Sequence, residues 1–396
     1  MRFFHLSDLH IGKLLYRYNL IEDQKVILDQ IVLLVRKERP DAVLLAGDIY
    51  DKPVPSAEAV RLFDDFLSAL AAITPRIPIL MISGNHDSAQ RLEYASSILK
   101  NQQVYVAGMP PSGKEEHIRK VTLSDEAGEV EFYLLPFIRP AMVRSVFDES
   151  ENEALVKLAK ETGRSEYDVY FEALMQREEI DPLRRNVLLT HQFFVSGSDR
   201  PQRAESEIMT VGMLDQIDTR HVEAFDYVAM GHIHRAQKCG REQVRYCGCP
   251  MAYSVSEEKD IKAVTVVTLG AKGEQPEISY LPLVPERRVR RIVGTLEEVL
   301  QLGYSDDYVS ILLTDEMTGR FVMEQIREVF PHYLEIGLES SLHRKETGNG
   351  QMADLSLDFC TLFAEFFENQ NGRRMTEEEI QVFQTIYQTA KEEDET

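Results

Sequence analysis

Seven side chains able to donate a lone pair to a divalent cation fall in five short clusters: Asp8 with His10, Asp48, Asn85, His191, and His232 with His234. This mixture of carboxylate, imidazole and one carboxamide oxygen suits borderline ions such as Mn²⁺, Fe²⁺, Co²⁺ or Zn²⁺ better than Ca²⁺, and it needs no thiolate. Two such ions about 3.5 to 4 Å apart can acidify a water, align a phosphate and hold the entering and leaving oxygens of an in-line displacement. Charge balance narrows the substrate: two dications against two aspartates and a hydroxide leave a small positive excess, which would draw in a singly charged phosphodiester. Taken one at a time the pieces say little, since Asp-x-His is usually a surface or capping pair and Asn-His a turn. Their order and joint placement carry the signal.

Each cluster needs an element to hold it, and most follow a short apolar run that reads as a strand. The predicted strands are 3–6, 42–46, 77–82, 132–135, 187–189 and 227–230. In open α/β sheets, ligands gather outside the carboxyl ends of the strands. Residues i and i+2 just past a strand leave it pointing the same way, so Asp8 with His10, and His232 with His234, can each offer two donors to one cavity. Glycine before Asp48, Asn85 and His232 permits a sharp turn and close approach. Residues 20–39 predict a helix with Asn19 as N-cap and Glu22 completing a capping box. In the next helix Val60, Phe63, Leu67, Leu70 and Ala71 make an apolar stripe of helical period. Residues 147–185 read as peripheral helices or an insertion. The first 285 residues therefore predict a layered α/β domain.

A second, small α/β domain is expected over 286–340, with strands at 288–294, 308–313 and 333–338 and helices at 296–302 and 321–330. A polar linker follows at 341–354. The last segment, 355–396, predicts a helical hairpin. Its first helix carries Phe359, Leu362, Phe363, Phe366 and Phe367 on one face, and its second opens with a Thr376 and Glu379 capping box flanked by Met375 and Ile380. So much aromatic surface is hard to bury on a hairpin alone. It docks either on the chain's own body or in a groove on a partner.

The 396 residues carry 44 Lys and Arg against 66 Asp and Glu, a net charge of −22, so bulk positive charge cannot coat a nucleic acid. Residues 286–340 hold 6 basic and 11 acidic side chains. The best local positive patch is Arg287, Arg288, Arg290 and Arg291, which could meet DNA or form interdomain ion pairs. Four cysteines make no disulfide framework. With no long apolar run and an acidic residue at Asp8 interrupting the start, a soluble, cytoplasmic protein is expected, with no membrane partner. No Walker loop is present, so any dependence on ATP would come from a partner.

Asp8-x-His10, Gly47-Asp48-x-x-Asp51, Gly84-Asn85-His86-Asp87, His191 and Gly231-His232-x-His234 resemble the signature of the calcineurin-like metallophosphoesterase superfamily. More narrowly, FFHLSDLHIGK, LLAGDIYDKPVPS, MISGNHDS and GHIHRAQ, followed by RYCGCPMAYSVSEEKD, are similar to the SbcD family, the nuclease components of bacterial SbcCD complexes. The resemblance covers most of the chain. It implies a layered metallophosphoesterase sandwich, a DNA-capping domain at 286–340 and a C-terminal hairpin that docks an SbcC-type ATPase. One metal would take Asp8, His10, Asp48 and His234, and the other Asp48, Asn85, His191 and His232, with Asp48 bridging and Mn²⁺ the expected ion. His86 would be the catalytic side chain beside them. Asp51 stands where archaeal and eukaryotic relatives have histidine, and its role stays open. The implied activity is 3′-to-5′ exonuclease on duplex DNA and endonuclease at single strands and hairpins, in replication, recombination and repair, by a homodimer within a heterotetramer. Two rivals remain. A phosphatase for nucleotides or small phosphoesters would use the same metal site and have no need of the terminal helices. A non-catalytic adaptor would use only the hairpin, and the intact set of seven ligands argues against it.

Overall fold

A computed structural model of the protein describes residues 1–197, 200–207, 215–315, 320–338, 375–376 and 379–380. The chain opens with β1 (Arg2–Leu6), a small hairpin of β2 (Leu14–Leu15) and β3 (Tyr18–Asn19), α1 (Ile21–Glu38) and β4 (Ala42–Ala46). It continues through α2 (Ala57–Ala71), β5 (Ile79–Ile82), the short turns α3 (Ala89–Glu93) and α4 (Ser96–Leu99), β6 (Val104–Ala107), β7 (Arg119–Asp125) and β8 (Gly128–Leu135). Next come α5 (Pro140–Val143), α6 (Glu149–Thr162), α7 (Glu166–Arg177), β9 (Arg185–Thr190), β10 (Phe193–Val195), β11 (Gln216–Asp218) and β12 (Tyr227–Met230). The antiparallel strands β13 (Gln237–Cys239), β14 (Arg241–Tyr246), β15 (Ala263–Thr268) and β16 (Glu277–Pro282) follow, β13 pairing with β14 and β15 with β16.

Two six-stranded sheets result, ordered β16-β15-β1-β4-β5-β6 and β13-β14-β12-β9-β8-β7. Within them β1, β4, β5 and β6 are parallel, as are β8, β9, β12 and β14. Their inner faces meet in an apolar layer that includes Phe3, Leu44, Leu80, Phe132, Leu189 and Tyr227. Helices α1 and α2 cover the outer face of the first sheet, and α5 and α7 cover the second. Strands covered on both faces are apolar throughout, as β4 with its five buried residues illustrates.

Two local expectations are corrected. Asn19 belongs to β3 and Leu20 is the N-cap of α1. The Asn19 side chain accepts only the Ile21 N–H, at 3.1 Å, and makes no capping box with Glu22. The buried face of α2 is Ala59, Leu62, Phe63, Phe66 and Leu70, while Val60 is exposed, so the stripe is rotated by about one residue from the predicted one. His221 lies in a largely buried ion cluster.

That cluster fastens α7. Asp168 accepts from His221 Nε2 and from the Asp218 N–H, both at 2.8 Å, and from Arg164 Nε. Burial pushes its carboxyl up, but these hydrogen bonds more than offset that and hold it at about 2. A folded-state value below the unfolded one contributes stability that is present above about pH 4 and lost as pH falls through about 2. Asp168→Asn is therefore expected to cost about 1–2 kcal/mol in urea denaturation at pH 7, with the gap to wild type closing as pH falls from about 4 towards 2. A gap independent of pH would contradict this.

The remaining described elements are β17 (Val289–Gly294), α8 (Leu296–Gln301), β18 (Tyr308–Leu313), α9 (Arg320–Val329) and β19 (Tyr333–Leu338). They form a three-stranded sheet of order β17-β18-β19, with β17 and β18 parallel, and Met1–Gly337 is one compact unit. In the second unit, Leu338–Thr396, the Thr376 N–H donates to Glu379 and the Glu379 N–H to Thr376 Oγ1, the reciprocal cap expected there. The expected linker and the aromatic helix from Phe359 lie outside the described residues. Among the described residues, no helix is long and apolar enough to cross a membrane.

Candidate metal centre

The turns after β1, β4, β5, β9 and β12 all open at the carboxyl ends of their strands, and together they bring their side chains into one polar cluster. The first turn holds Asp8 and His10, the second Asp48, the third Asn85 and His86, the fourth His191, and the fifth His232 and His234. The structure brings all eight together. Asp8, His10, Asp48, His191, His232 and His234 are buried, and Asn85 and His86 are partly so. Backbone bonds stitch the turns: the Asp8 N–H donates to Gly47 O and the His10 N–H to Asp48 O, both at 3.0 Å. The His232 N–H reaches both Asp8 oxygens at 3.1 Å. Asp8, His10, Asp48 and His232 all have positive φ (53°, 43°, 49° and 96°), a strained region that persists only where surrounding bonds impose it. Glycine is sterically required in these turns. A Cβ at Gly84 would collide with Asp48 Oδ1, and one at Gly231 would collide with Ala46 O.

The donors fall into two groups that share Asp48. In one, His10 Nε2 and His234 Nε2 face each other at 3.1 Å, and Asp8 has an oxygen within 4.8 Å of ligand atoms of both rings. In the other, Asn85 Oδ1 lies 3.1 Å from His191 Nε2 and 2.9 Å from His232 Nδ1. Asp48 Oδ2 stands between them, 3.6 Å from His10 Nε2 and 3.3 Å from His191 Nε2. His191 Nδ1 donates to Ala46 O at 2.7 Å, which turns Nε2 inward.

Protonation differs among the donors, with His10 and His232 lowered and His191 and His234 raised. Burial pushes His10 and His232 well below the ordinary imidazole range and so leaves them neutral with free lone pairs. Burial pushes Asp48 up, but His191 and His10 beside it hold it well below the usual carboxylate range. His191 is lowered by burial and raised more strongly by Asp48 and Asp8, to about 9. Facing nitrogens and carboxylates in a buried cluster need protons or cations between them, and this donor set fits divalent cations.

Several contributors escaped the sequence reading. Asp87 accepts the N–H groups of Ile49 (3.1 Å), Tyr50 (2.9 Å) and Gly84 (2.9 Å), tying the second turn to the third. Burial and the nearby Asp48 charge raise its carboxyl to about 6. Asp51 gains a definite place: its carboxylate accepts Lys13 Nζ at 2.9 Å and lies 3.6 Å from His10 Nδ1, and its carbonyl accepts His86 Nδ1 at 2.8 Å. The His86 N–H also donates to Asp48 Oδ1 at 2.8 Å, and its ring packs edge-on to His10. Adjacency in the motif signalled Asp87. Nothing local signalled the Asp51 carbonyl.

The arginine run is partly consumed by structure. Arg287 Nη1 meets both oxygens of buried Asp23 at 2.9 Å and its Nε meets Asp306 at 3.0 Å, while Arg290 pairs with Asp307 at 2.8 Å. Tyr308 also donates to Asp23. Arg287→Ala is thus expected to cost about 2–3 kcal/mol of stability by stranding a buried carboxylate. It should leave the salt dependence of duplex binding unchanged. A lowered salt slope with normal stability would reverse that assignment.

Two family models match the chain. Residues 1–236 match the calcineurin-like phosphoesterase model, and residues 285–371 match a model described as the type 5 capsule protein repressor C-terminal domain. Among curated proteins, the chain is similar to the SbcD component of the nuclease SbcCD from Staphylococcus epidermidis, with 27% identity over 95% of each chain. It is also similar to the protein of the same name from Staphylococcus saprophyticus, with 26% identity over 99% of each. Among solved structures, a dimetal phosphatase from Danio rerio aligns with 72% of this chain and 99% of its own, at 15% identity and a TM-score of 0.40.

Proposed function

This chain belongs to the calcineurin-like phosphoesterase family, and on that premise we propose that it is a DNA nuclease that hydrolyses phosphodiester bonds with two divalent cations. The observation that carries this reading is the position of Asp48 Oδ2 between two groups of buried donors. Asp8, His10, Asp48 and His234 would hold one cation, and Asp48, Asn85, His191 and His232 the other. Bound there, such ions, Mn²⁺ by preference, supply an acidified water and neutralise phosphate charge.

The chain's own side chains do the rest. Asp48 is ionised and rigidly held, so it fixes the spacing of the two groups. His86 Nδ1–H donates to the Asp51 carbonyl, which leaves Nε2 as the edge available to substrate. As imidazolium, His86 can donate from Nε2 to the departing sugar oxygen or to a phosphate oxygen under attack. Lys13 and Asp51 buttress His10 from behind.

The staphylococcal relatives, named as components of a nuclease, support DNA as the substrate. We read the chain as 1–285 for the nuclease domain, 286–340 as a DNA-capping domain, 341–354 as a linker and 355–396 as the hairpin that docks an SbcC-type ATPase. Exonuclease and hairpin endonuclease action by a homodimer within a heterotetramer, in DNA replication, recombination and repair, belongs to the same reading. A pair of chromogenic substrates tests the core of it. With Mn²⁺, an aryl phosphodiester should be turned over faster than the matching monoester, and the reverse order would favour a phosphatase.

A further inference from the structure

Beside His234 lies a buried ionic cluster that the reaction itself does not use. Glu257 is fully buried and Lys262 nearly so, and they pair at 2.6 Å. Both grip His234. Lys262 Nζ donates to the His234 carbonyl at 3.1 Å. Ser206 Oγ lies 2.8 Å from His234 Nδ1 and donates to Glu257 Oε1 at 2.7 Å. The neighbouring Glu207 accepts the His234 N–H at 2.9 Å, and the Glu205 N–H donates to Ser256 Oγ at 3.0 Å, so residues 205–207 are docked on both His234 and the 256–257 turn.

Glu257, His234 and Cys249 lie close enough together to resemble a third cation site. The Lys262 ammonium already occupies that position, 2.6 Å from Glu257 and 3.2 Å from Cys249 Sγ. The cluster must act through His234 instead.

The hydrogen-bond directions follow from chemistry. Glu257 is ion-paired with the Lys262 ammonium at 2.6 Å and also receives the Ser254 hydroxyl at 2.9 Å, so as a carboxylate it can only accept. The Ser206 proton must then point at Glu257, and its lone pair must face His234. His234 Nδ1 must carry hydrogen, which leaves Nε2 as the lone-pair nitrogen of the neutral ring, aimed at His10 Nε2.

We propose that Ser206 and Glu257 are positioning residues: a hydroxyl relay from a buried carboxylate fixes the ring orientation and tautomer of His234 and so sets the affinity of one of the two cation positions. This rests on the two-cation reading above. Its test is calorimetric titration of the full chain with Mn²⁺, comparing wild type with Ser206→Ala, Ser206→Thr and Glu257→Gln. Wild type should bind two ions. Ser206→Ala should weaken one step about tenfold or more and leave the other within about twofold. Ser206→Thr, which keeps the hydroxyl, should restore the step, and Glu257→Gln should weaken the same step. Wild-type affinities in Ser206→Ala would overturn the relay, as would equal loss in the alanine and threonine variants, which would indicate packing. Absence of saturable Mn²⁺ binding in wild type would instead overturn the two-cation reading beneath it.

Discussion

Asp48→Asn is expected to reduce Mn²⁺-dependent diester hydrolysis by about a thousandfold or more, the largest loss of any single change in the chain. Asparagine preserves the shape and can still accept the His86 N–H, so the turn between β4 and α2 should keep its conformation. What disappears is the negative charge on the one oxygen that stands 3.6 Å from His10 Nε2 and 3.3 Å from His191 Nε2. Neither donor group is then complete. Initial rates across a Mn²⁺ series would check this. Saturation at high Mn²⁺ with near-normal turnover would show that Asp48 is a dispensable ligand, contrary to a shared one.

His86→Ala should behave differently. Its side chain sits beside the donors, pinned through Nδ1 to the Asp51 carbonyl and through its backbone to Asp48. Removing the ring should lower kcat by about a hundredfold, the usual worth of a positioned proton donor. Mn²⁺ affinity should stay within about twofold and KM should change little, because the interaction is made only as charge develops on the leaving oxygen. A variant with normal kcat would remove His86 from the chemistry. One with a weakened Mn²⁺ isotherm would make it a ligand.

Much of the site was legible because its geometry is a property of strands. Runs such as Ala42–Ala46 and Tyr227–Met230 are uniformly apolar and end abruptly at glycine, so their bounds and the residues just past them follow from sequence. The i, i+2 spacing of Asp8 with His10 then fixes which side chains leave together. Legibility failed where a partner lies far along the chain. Ser206 is 28 residues from His234 and 51 from Glu257, and no local pattern joins the three. Asn19 looked like a cap but was drawn into the β2–β3 hairpin, where tertiary pairing overrides a terminus preference. On α2, Val60 fits a helical period as well as Ala59 does, and only the packing of that helix against the first sheet decides which is buried. The arginines at 287 and 290 read as a basic patch until Asp23, Asp306 and Asp307 supplied the partners.

The most direct test of a two-cation DNA nuclease is to incubate the full chain with end-labelled duplex and hairpin DNA in Mn²⁺, with and without an added SbcC-type ATPase. A phosphomonoester serves as the control. DNA cleavage that requires Mn²⁺ and vanishes in Asp48→Asn, beside slow monoester turnover, is the predicted result. Intact DNA beside brisk monoester hydrolysis would contradict it.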